Sequence, residues 1–228
     1  MTNIILIAVL TIAPAIILLY ILYKLDSQKP EPVGIIIKTF LLGTLSVVVT
    51  LLAGTLFYQF EDMFDSFWIK IFIMSFVSAA FVEELSKLIV FKVVVYKTKD
   101  FNEVTDGIIY MAAISLAFAA VENFLYGMGG GMGVIIARAI TAVPLHAIAS
   151  GIMGYYVGRE KMLKESGASI KGLLLAIFIH GIYNFFAFGS ERVGEFVILL
   201  FAVLIMGGAY LFYLINKGLS IDREKNFS

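Results

Sequence analysis

Long apolar segments separated by short polar or glycine-rich connections dominate the chain. Seven such segments predict helices at residues 4–23, 33–58, 67–96, 107–126, 134–158, 171–189 and 195–216. Each is close to or above the ~20 residues with which an α-helix crosses a hydrocarbon core of ~30 Å. The third segment exceeds that length, so we expect it to be tilted or to project into water. The pattern therefore predicts an all-α, polytopic membrane protein with about seven transmembrane helices.

The composition places the chain in the membrane class as well. Hydrophobic residues make up 61% of the 228 residues, charged residues make up 15%, and the mean hydropathy is +0.96. That is too little charge to cover the surface of a soluble domain. The connections are too short to form domains, which predicts a single membrane domain over residues 1–228 in a lipid bilayer. The zero net charge and the lack of a basic block argue against a nucleic-acid partner.

Charged residues in the connections predict the orientation of the chain. The segment 4–23 has no basic residues before it and no cleavage site after it, so we expect a retained first helix. Basic residues concentrate in alternate connections and in the C-terminal tail: Lys24, Lys29, Lys97, Lys99, Arg159, Lys161, Lys164, Lys171, Lys217, Arg223 and Lys225. The opposite connections hold Arg192 and the acids Glu61, Asp62, Asp65, Glu191 and Glu195. The positive-inside rule then predicts a multi-pass cell-membrane protein with its N-terminus outside and its C-terminus in the cytoplasm.

Several ionisable and amide side chains interrupt the apolar segments. They are Glu83, Glu84 and Lys87 in the third predicted helix, Glu122 and Asn123 in the fourth, Arg138 and His146 in the fifth, and His180 and Asn184 in the sixth. A charge at the centre of a bilayer costs several kcal/mol and usually marks a functional site. Structural roles, such as a hydrogen-bonded histidine or an ion pair, would have to explain each residue separately. We therefore predict one buried polar site between helices three and six.

Helical geometry relates the depths of these residues. With ~1.5 Å of rise per residue, Glu83, His146 and His180 fall at a similar level. Glu122 lies only ~6 Å along its helix from the outer end, so pairing with Arg138 is the alternative to membership of the site. The small residues that recur at four-residue spacing in the fifth helix, among them Ser150, predict a helix-packing face.

The residue types indicate hydrolysis. Carboxylates, imidazoles and an amide suit the activation of water and the stabilisation of an oxyanion, which together hydrolyse an amide bond. Glu83, His146 and His180 also suit a zinc site, because two histidines and one glutamate form a known catalytic ligand set. The specific H-E-x-x-H motif of zinc proteases is not in the sequence. A proton- or ion-coupled transporter and a non-catalytic membrane scaffold are the alternatives from other functional classes.

Five motifs in a fixed order resemble the PrsW family of intramembrane proteases. They are E-E-x-x-K at Glu83–Lys87, D-G-x-x-Y at Asp106–Tyr110, F-x-x-x-E-N at Phe118–Asn123, R-x-x-T-x-x-P-x-H at Arg138–His146 and H-x-x-x-N at His180–Asn184. The resemblance covers roughly residues 67–189, the predicted catalytic core. It implies membership of the superfamily of CAAX prenyl proteases and bacteriocin-processing enzymes. Glu122 and Lys87 differ from the prenyl-protease pattern as in the PrsW branch, so a prenylated substrate is not expected.

The resemblance also implies a mechanism. Glu83, assisted by Glu84, would act as general base for a water molecule, and His180 with Asn184 would stabilise the oxyanion. His146 would position water or protonate the leaving amine. Lys87 would tune the glutamates, and Glu122 would complete the polar site or orient a neighbour. Asn123 and Arg138 are the other two supporting residues. This glutamate-dependent mechanism needs no cofactor. The alternative is a mechanism that depends on zinc. The expected substrate is a membrane protein or peptide, and the family analogy indicates site-1 cleavage of a membrane-anchored regulator.

Overall fold

A computed structural model describes residues 4–26, 29–57, 60 and 63–225. Helices make up 87% of the structure, and no strand occurs among the described residues, which confirms the predicted all-α class. The first helices are α1 (Ile4–Leu25), α2 (Val33–Gly43), α3 (Leu45–Phe57) and α4 (Phe67–Ile73). A π-helix, π1 (Met74–Phe81), and α5 (Val82–Val94) follow α4 without a break. The remaining helices are α6 (Val104–Ile140), α7 (Ala142–Leu163), α8 (Ala168–Gly189) and α9 (Phe196–Lys225).

Five stretches of the described chain are long and apolar enough to cross a membrane. They are Ile4–Leu25, Val33–Phe57, Val104–Leu163, Ala168–Gly189 and Phe196–Lys225. The predicted number was seven, and the difference arises at two places. The stretch Val104–Leu163 contains both α6 and α7, and its 60 residues exceed what one crossing needs. The stretch 67–94 is helical throughout but is divided by the π-helical segment.

The chain reverses its direction inside α6, at Gly131. This residue has φ 76° and ψ −169°, a conformation that favours glycine because it has no Cβ. A Cβ built on Gly127 would lie 2.6 Å from the side chain of Ile135, whereas eight residues of a straight helix span ~12 Å. The predicted loop at 127–133 is therefore a reversal at a single glycine, with helical residues on both sides.

The first half of α6 and most of α7 form the buried centre of the molecule. These two helices approach closely because glycines lie at their contact. A Cβ on Gly107 would overlap the backbone of Gly154, and a Cβ on Gly158 would overlap that of Val104. Small residues let helix backbones approach in this way inside a membrane. The other helices pack around this pair and expose many large apolar side chains outward, as a lipid-facing surface requires.

A group of acidic residues gathers where α6 begins, and we call it the terminal acid cluster. Its members are Asp26, Glu31, Glu103, Asp106 and Asp222. Asp222 in α9 accepts hydrogen bonds from the backbone N–H groups of Val104 and Thr105, at 2.7 and 2.9 Å. Asp106 accepts from the backbone N–H groups of Asn102 and Glu103 and so completes a capping box. The aspartate of the D-G-x-x-Y motif thus caps α6. The tyrosine of the motif, Tyr110, donates a hydrogen bond to Glu31.

Candidate active site

Glu83 and Glu84 lie in the first turn of α5, immediately after the π-helical segment. Single π-helical turns inside α-helices occur frequently at functional sites. Neighbouring residues of a helix point about 100° apart, so the two carboxylates face different surroundings. Glu83 lines two adjoining cavities, whereas Glu84 is completely buried behind them.

Both carboxylate oxygens of Glu84 accept hydrogen bonds. Its Oε1 accepts from Lys87 Nζ at 2.7 Å and contacts His180 Nδ1 at 2.8 Å. Its Oε2 accepts from the hydroxyl of Ser150 at 2.7 Å. A buried carboxylate with both oxygens engaged holds its partners in place. Glu84 therefore fixes the orientation of the His180 ring.

Lys87 is completely buried and lies at the centre of the site. Its Nζ is 2.7 Å from Glu84, 3.6 Å from Glu83 and 3.0 Å from Nδ1 of His146. It also lies 4.4 Å above the centre of the Phe118 ring, a cation–π contact. A lysine ammonium group only donates hydrogen bonds, so Nδ1 of His146 is the acceptor. The proton of a neutral His146 ring is then on Nε2.

Glu122 joins the site from α6. Its Oε2 accepts from Nε2 of His146 at 2.9 Å and from the guanidinium of Arg138 at 2.5 Å. The sequence offered two alternatives for Glu122, membership of the site or pairing with Arg138. In the structure, Glu122 does both. The reason is the reversal at Gly131, which brings both partners back alongside Glu122. We call these seven residues the central cluster: Glu83, Glu84, Lys87, Glu122, Arg138, His146 and His180.

His180 presents its second nitrogen to Glu83. Because the carboxylate of Glu84 accepts a hydrogen bond from Nδ1, the free Nε2 points towards Glu83 Oε2, at 3.8 Å. Glu83 Oε2 is buried and has no hydrogen-bond partner among the described residues. The rings of His146 and His180 meet edge to face, with centroids 5.0 Å apart. An unbonded carboxylate oxygen and an unbonded imidazole nitrogen thus face each other.

A cavity of about 30 Å³ lies between these groups. Its polar lining comes from Glu83, Glu122, Tyr126, Arg138, His146, His180, Tyr183 and Asn184. A polar space of this size holds one or two water molecules. Asn184 reaches it from one helical turn beyond His180. Asn123 does not line it, and its buried amide has no hydrogen-bond partner within the described part of the chain.

The donor set fits a metal ion in its chemistry and its spacing. Ligand atoms of Glu83, His146 and His180 all lie within 4.8 Å of one another. The 3.8 Å between Glu83 Oε2 and His180 Nε2 is near the roughly 3.4 Å that separates two ligands of a tetrahedral zinc ion. Glu84 would be the carboxylate that orients a zinc-bound histidine. His146 differs, because both of its nitrogens already have partners and one would have to be exchanged.

Sequence reasoning missed two members of the site. Ser150 had been interpreted as a packing residue, but its hydroxyl also binds Glu84. Tyr183 lines the small cavity beside Asn184, and only its position three residues after His180 could have indicated this.

Comparison with known proteins gives a consistent family match. Residues 31–210 match the family described as PrsW family intramembrane metalloprotease. The Protease PrsW of Oceanobacillus iheyensis is 35% identical over 201 residues, which cover 85% of this chain and 90% of that protein. The Protease PrsW of Bacillus subtilis is 35% identical over 178 residues, 76% of this chain and 79% of that protein. No solved structure gives a significant match.

Proposed function

Because the chain belongs to the PrsW family of intramembrane metalloproteases, we propose that it hydrolyses a peptide bond of a membrane-protein substrate with a water molecule that Glu83 activates. One observation carries the proposal. A buried, unbonded carboxylate oxygen of Glu83 borders a cavity that has room for water and that adjoins a larger apolar cavity.

The contacts of the central cluster and of Asn184 support a role for most of these residues. Glu83 takes the proton of the water, and the hydroxide adds to the carbonyl carbon of the substrate. Asn184 and a protonated His180 donate hydrogen bonds to the resulting oxyanion. The C–N bond breaks as the leaving nitrogen receives the proton that Glu83 took from the water, while His146, which Glu122 holds through Nε2 at 2.9 Å, positions the water.

Glu84 has a different role from the one that the motif implied. Both of its oxygens accept hydrogen bonds, and Glu84 lines neither cavity. We assign it to the positioning of His180 and not to proton transfer. Lys87 is completely buried, lies between the two glutamates and compensates their charge.

Zinc is the alternative means of activating the same water. The ion would be held by Glu83, His180 and His146, and it would acidify water and polarise the carbonyl oxygen. In that version His180 would be neutral, and because Nδ1 donates its proton to Glu84, its Nε2 lone pair would be directed at the cavity.

The membrane topology belongs to the same proposal. The reversal at Gly131 makes α6 and α7 two crossings, and residues 67–94 make another, which gives seven. The N-terminus is then outside and the C-terminus cytoplasmic. Glu61 and Asp62, two of the acids behind this orientation, lie outside the described residues. The chain has no native cysteine, so single cysteines at Lys97 and Ser190 should react from opposite sides with an impermeant maleimide.

Reconstitution tests the activity. Purified protein in vesicles should cleave quenched fluorogenic single-span peptides, and Glu83→Gln should abolish cleavage while the exposed-loop variant Glu191→Gln retains it. Ion flux without cleavage would support the transporter alternative. Full activity after chelation, with no zinc found by metal analysis, would exclude the metal version. Loss on chelation with recovery on added zinc would exclude the metal-free version.

A further inference from the structure

A second cavity of about 340 Å³ adjoins the water-sized cavity and contacts the same carboxylates. The two cavities share Ala79, Glu83, Glu122, Tyr126 and Phe188. The rest of the larger lining is mainly apolar and comes from Val47, Leu51, Met74, Phe118 and Leu125. Leu51 and Leu125 are more than half exposed on the outer surface, so this cavity opens on the side of the molecule that faces lipid.

Hydroxyl groups in this protein normally bond to their own helix. The side chains of Thr11, Thr44, Ser46, Thr55, Ser86, Thr141 and Ser190 each donate to a carbonyl three or four residues earlier. A hydroxyl inside a membrane has no water to bind, which makes this local bond the usual solution.

Thr50, Ser75 and Ser78 depart from that pattern. Of these three, Thr50 and Ser78 line the larger cavity, whereas Ser75 lines neither cavity. Their hydroxyl oxygens are buried and have no hydrogen-bond partner in the described part of the structure. A buried polar group without a partner costs about 1–3 kcal/mol. The π-helical geometry around Ser78 does not explain both cases, because Thr50 lies in the α-helix α3.

We propose that this cavity is the subsite for the unwound segment of the substrate, with Thr50 and Ser78 as hydrogen-bonding partners of its peptide groups. The apolar wall takes one aliphatic or aromatic side chain next to the scissile bond. The inference rests on the proposed protease function and adds to it the substrate class: an apolar segment that enters from the lipid side between α3 and α6.

The need for these hydroxyls follows from the chemistry of cleavage in a membrane. A peptide bond inside a transmembrane helix is shielded by the helix and must be unwound before water can attack it. Unwinding leaves N–H and C=O groups without partners, and each costs several kcal/mol in hydrocarbon. Two unbonded hydroxyls beside Glu83 supply such partners where the unwound segment would lie.

The hydroxyl contacts are tested with matched variants. The probes are quenched fluorogenic single-span peptides with Ala, Leu or Phe at the position before the cleaved bond, in phosphatidylethanolamine–phosphatidylglycerol vesicles. Thr50→Val and Ser78→Ala should each lower kcat/KM about 3- to 10-fold, the loss of one hydrogen bond. Thr50→Ser should restore the rate. Thr55→Val and Ser75→Ala, which lie on the same two segments but line neither cavity, should match the unmodified protein.

The side-chain pocket is tested by filling it. Val47 lines the cavity, whereas its neighbour Val48 is exposed on the outer face of α3. Val47→Phe should lower cleavage of the Leu and Phe peptides at least about tenfold relative to the Ala peptide, because a methylene difference in a pocket changes rates about 10- to 200-fold. Val48→Phe should leave the ratio unchanged.

Two different failures remain distinguishable. If the unmodified protein cleaves the peptides but the Thr50, Ser78 and Val47 variants all behave like their controls, the subsite is wrong and the protease assignment stands. If the unmodified protein cleaves none of the peptides, or Glu83→Gln cleaves them equally well, the proposed function itself is wrong.

Discussion

The central cluster and the terminal acid cluster both bury carboxylates, but they compensate the charge in different ways. In the central cluster, Glu83, Glu84 and Glu122 meet two cations, Lys87 and Arg138, and two imidazole rings. In the terminal acid cluster, Lys29 pairs with Glu103 at 3.7 Å. Two of its five acids are bound instead by backbone N–H groups at the start of α6.

The difference follows from position along the helices. Glu83 and Glu84 begin α5, but α5 continues π1 without a break, so its first N–H groups are not free and these carboxylates need a cation or another donor side chain. The first turn of a helix has four free N–H groups and a positive end of the helix dipole, which together stabilise acids. Asp26 has neither kind of partner among the described residues. Burial and the charges of Glu103 and Glu31 raise the pKa of Asp26 to about 7.

Among the changes that test this comparison, removal of Lys87 should have the largest effect on stability and activity. Lys87→Met leaves Glu84 buried without its cation and His146 without the donor to Nδ1. Breaking a buried ion pair on one side costs about 3–5 kcal/mol. We expect a loss of that size in the free energy of unfolding in mixed detergent micelles, together with loss of proteolysis. The double variant Lys87→Met with Glu84→Gln should recover part of the stability.

Lys92 provides the control on the same helix. It pairs with Glu160 at 3.1 Å, but both side chains are partly exposed. Pairs of this kind contribute about 0–1 kcal/mol, so Lys92→Met should change the free energy of unfolding by no more than that. Equal losses in the two variants would show that the central cluster has no special dependence on its cation.

Glu84→Gln should have the next largest effect, and it acts on catalysis. The amide keeps the shape of the side chain but cannot accept from His180, Lys87 and Ser150 at once. Loss of the carboxylate that orients a site histidine typically lowers activity 10- to 100-fold. We expect that decrease in kcat/KM with a displaced pH profile, while Glu83→Gln is fully inactive. A folded Glu84→Gln protein with no activity would instead indicate that Glu84 takes part in proton transfer.

The convergence of Glu83, His146 and His180 could be predicted from the sequence. Ionisable residues stand out in apolar helices, and a rise of ~1.5 Å per residue places these three at one depth. The same reasoning left the place of Glu122 open, because depth along one helix does not reveal a reversal at Gly131. It also could not identify the partners of Glu84, since Ser150 and His180 come from two other helices. Contacts between helices leave no periodic signal in the chain.

The predicted helix bounds also agree with the structure for some helices and differ from it for others. The sixth predicted segment, 171–189, closely matches Ala168–Gly189, because an apolar run marks the part that lies in the membrane. The seventh, 195–216, ends nine residues before α9 does. The missed turns are polar, and Asp222 within them binds the N-terminus of α6. Hydropathy therefore locates membrane segments, whereas polar extensions that serve tertiary contacts require the structure.

Asp222 tests whether a carboxylate bound by backbone N–H groups stabilises the start of α6. Asp222→Ala removes a carboxylate that accepts from the backbone of Val104 and Thr105 and from the Thr105 hydroxyl at 2.6 Å. Loss of a helix cap costs about 0.5–2 kcal/mol, so we expect a decrease of that size in the free energy of unfolding. Glu224→Ala, an exposed change two residues later, should alter it by less than about 0.5 kcal/mol. No difference between these variants would mean that this cap does not stabilise α6.

Replacement of Asp26 should have the smallest effect on stability, and it should stabilise the protein, whereas the Lys87 and Asp222 substitutions destabilise it. Its pKa is about 7 in the folded protein and 3.8 in the unfolded chain, so the folded state binds the proton more tightly. The resulting stability is fully present below pH 3.8 and is lost as the pH rises to about 7. Asp26→Asn should therefore match the unmodified protein near pH 4 and raise the Tm by about 2–4 °C at pH 8.

Thermal unfolding in detergent from pH 4 to 8 measures this effect, with the exposed Asp65→Asn as control. Glu31 and Glu103 also have pKa values raised by burial, so the unmodified protein should keep some pH dependence even without Asp26. The informative quantity is the difference between the two Tm curves, which should grow only above pH 4. A constant difference would contradict a titrating Asp26. A lower Tm for Asp26→Asn at pH 8 would instead show that a cation compensates Asp26, as Lys87 compensates Glu84.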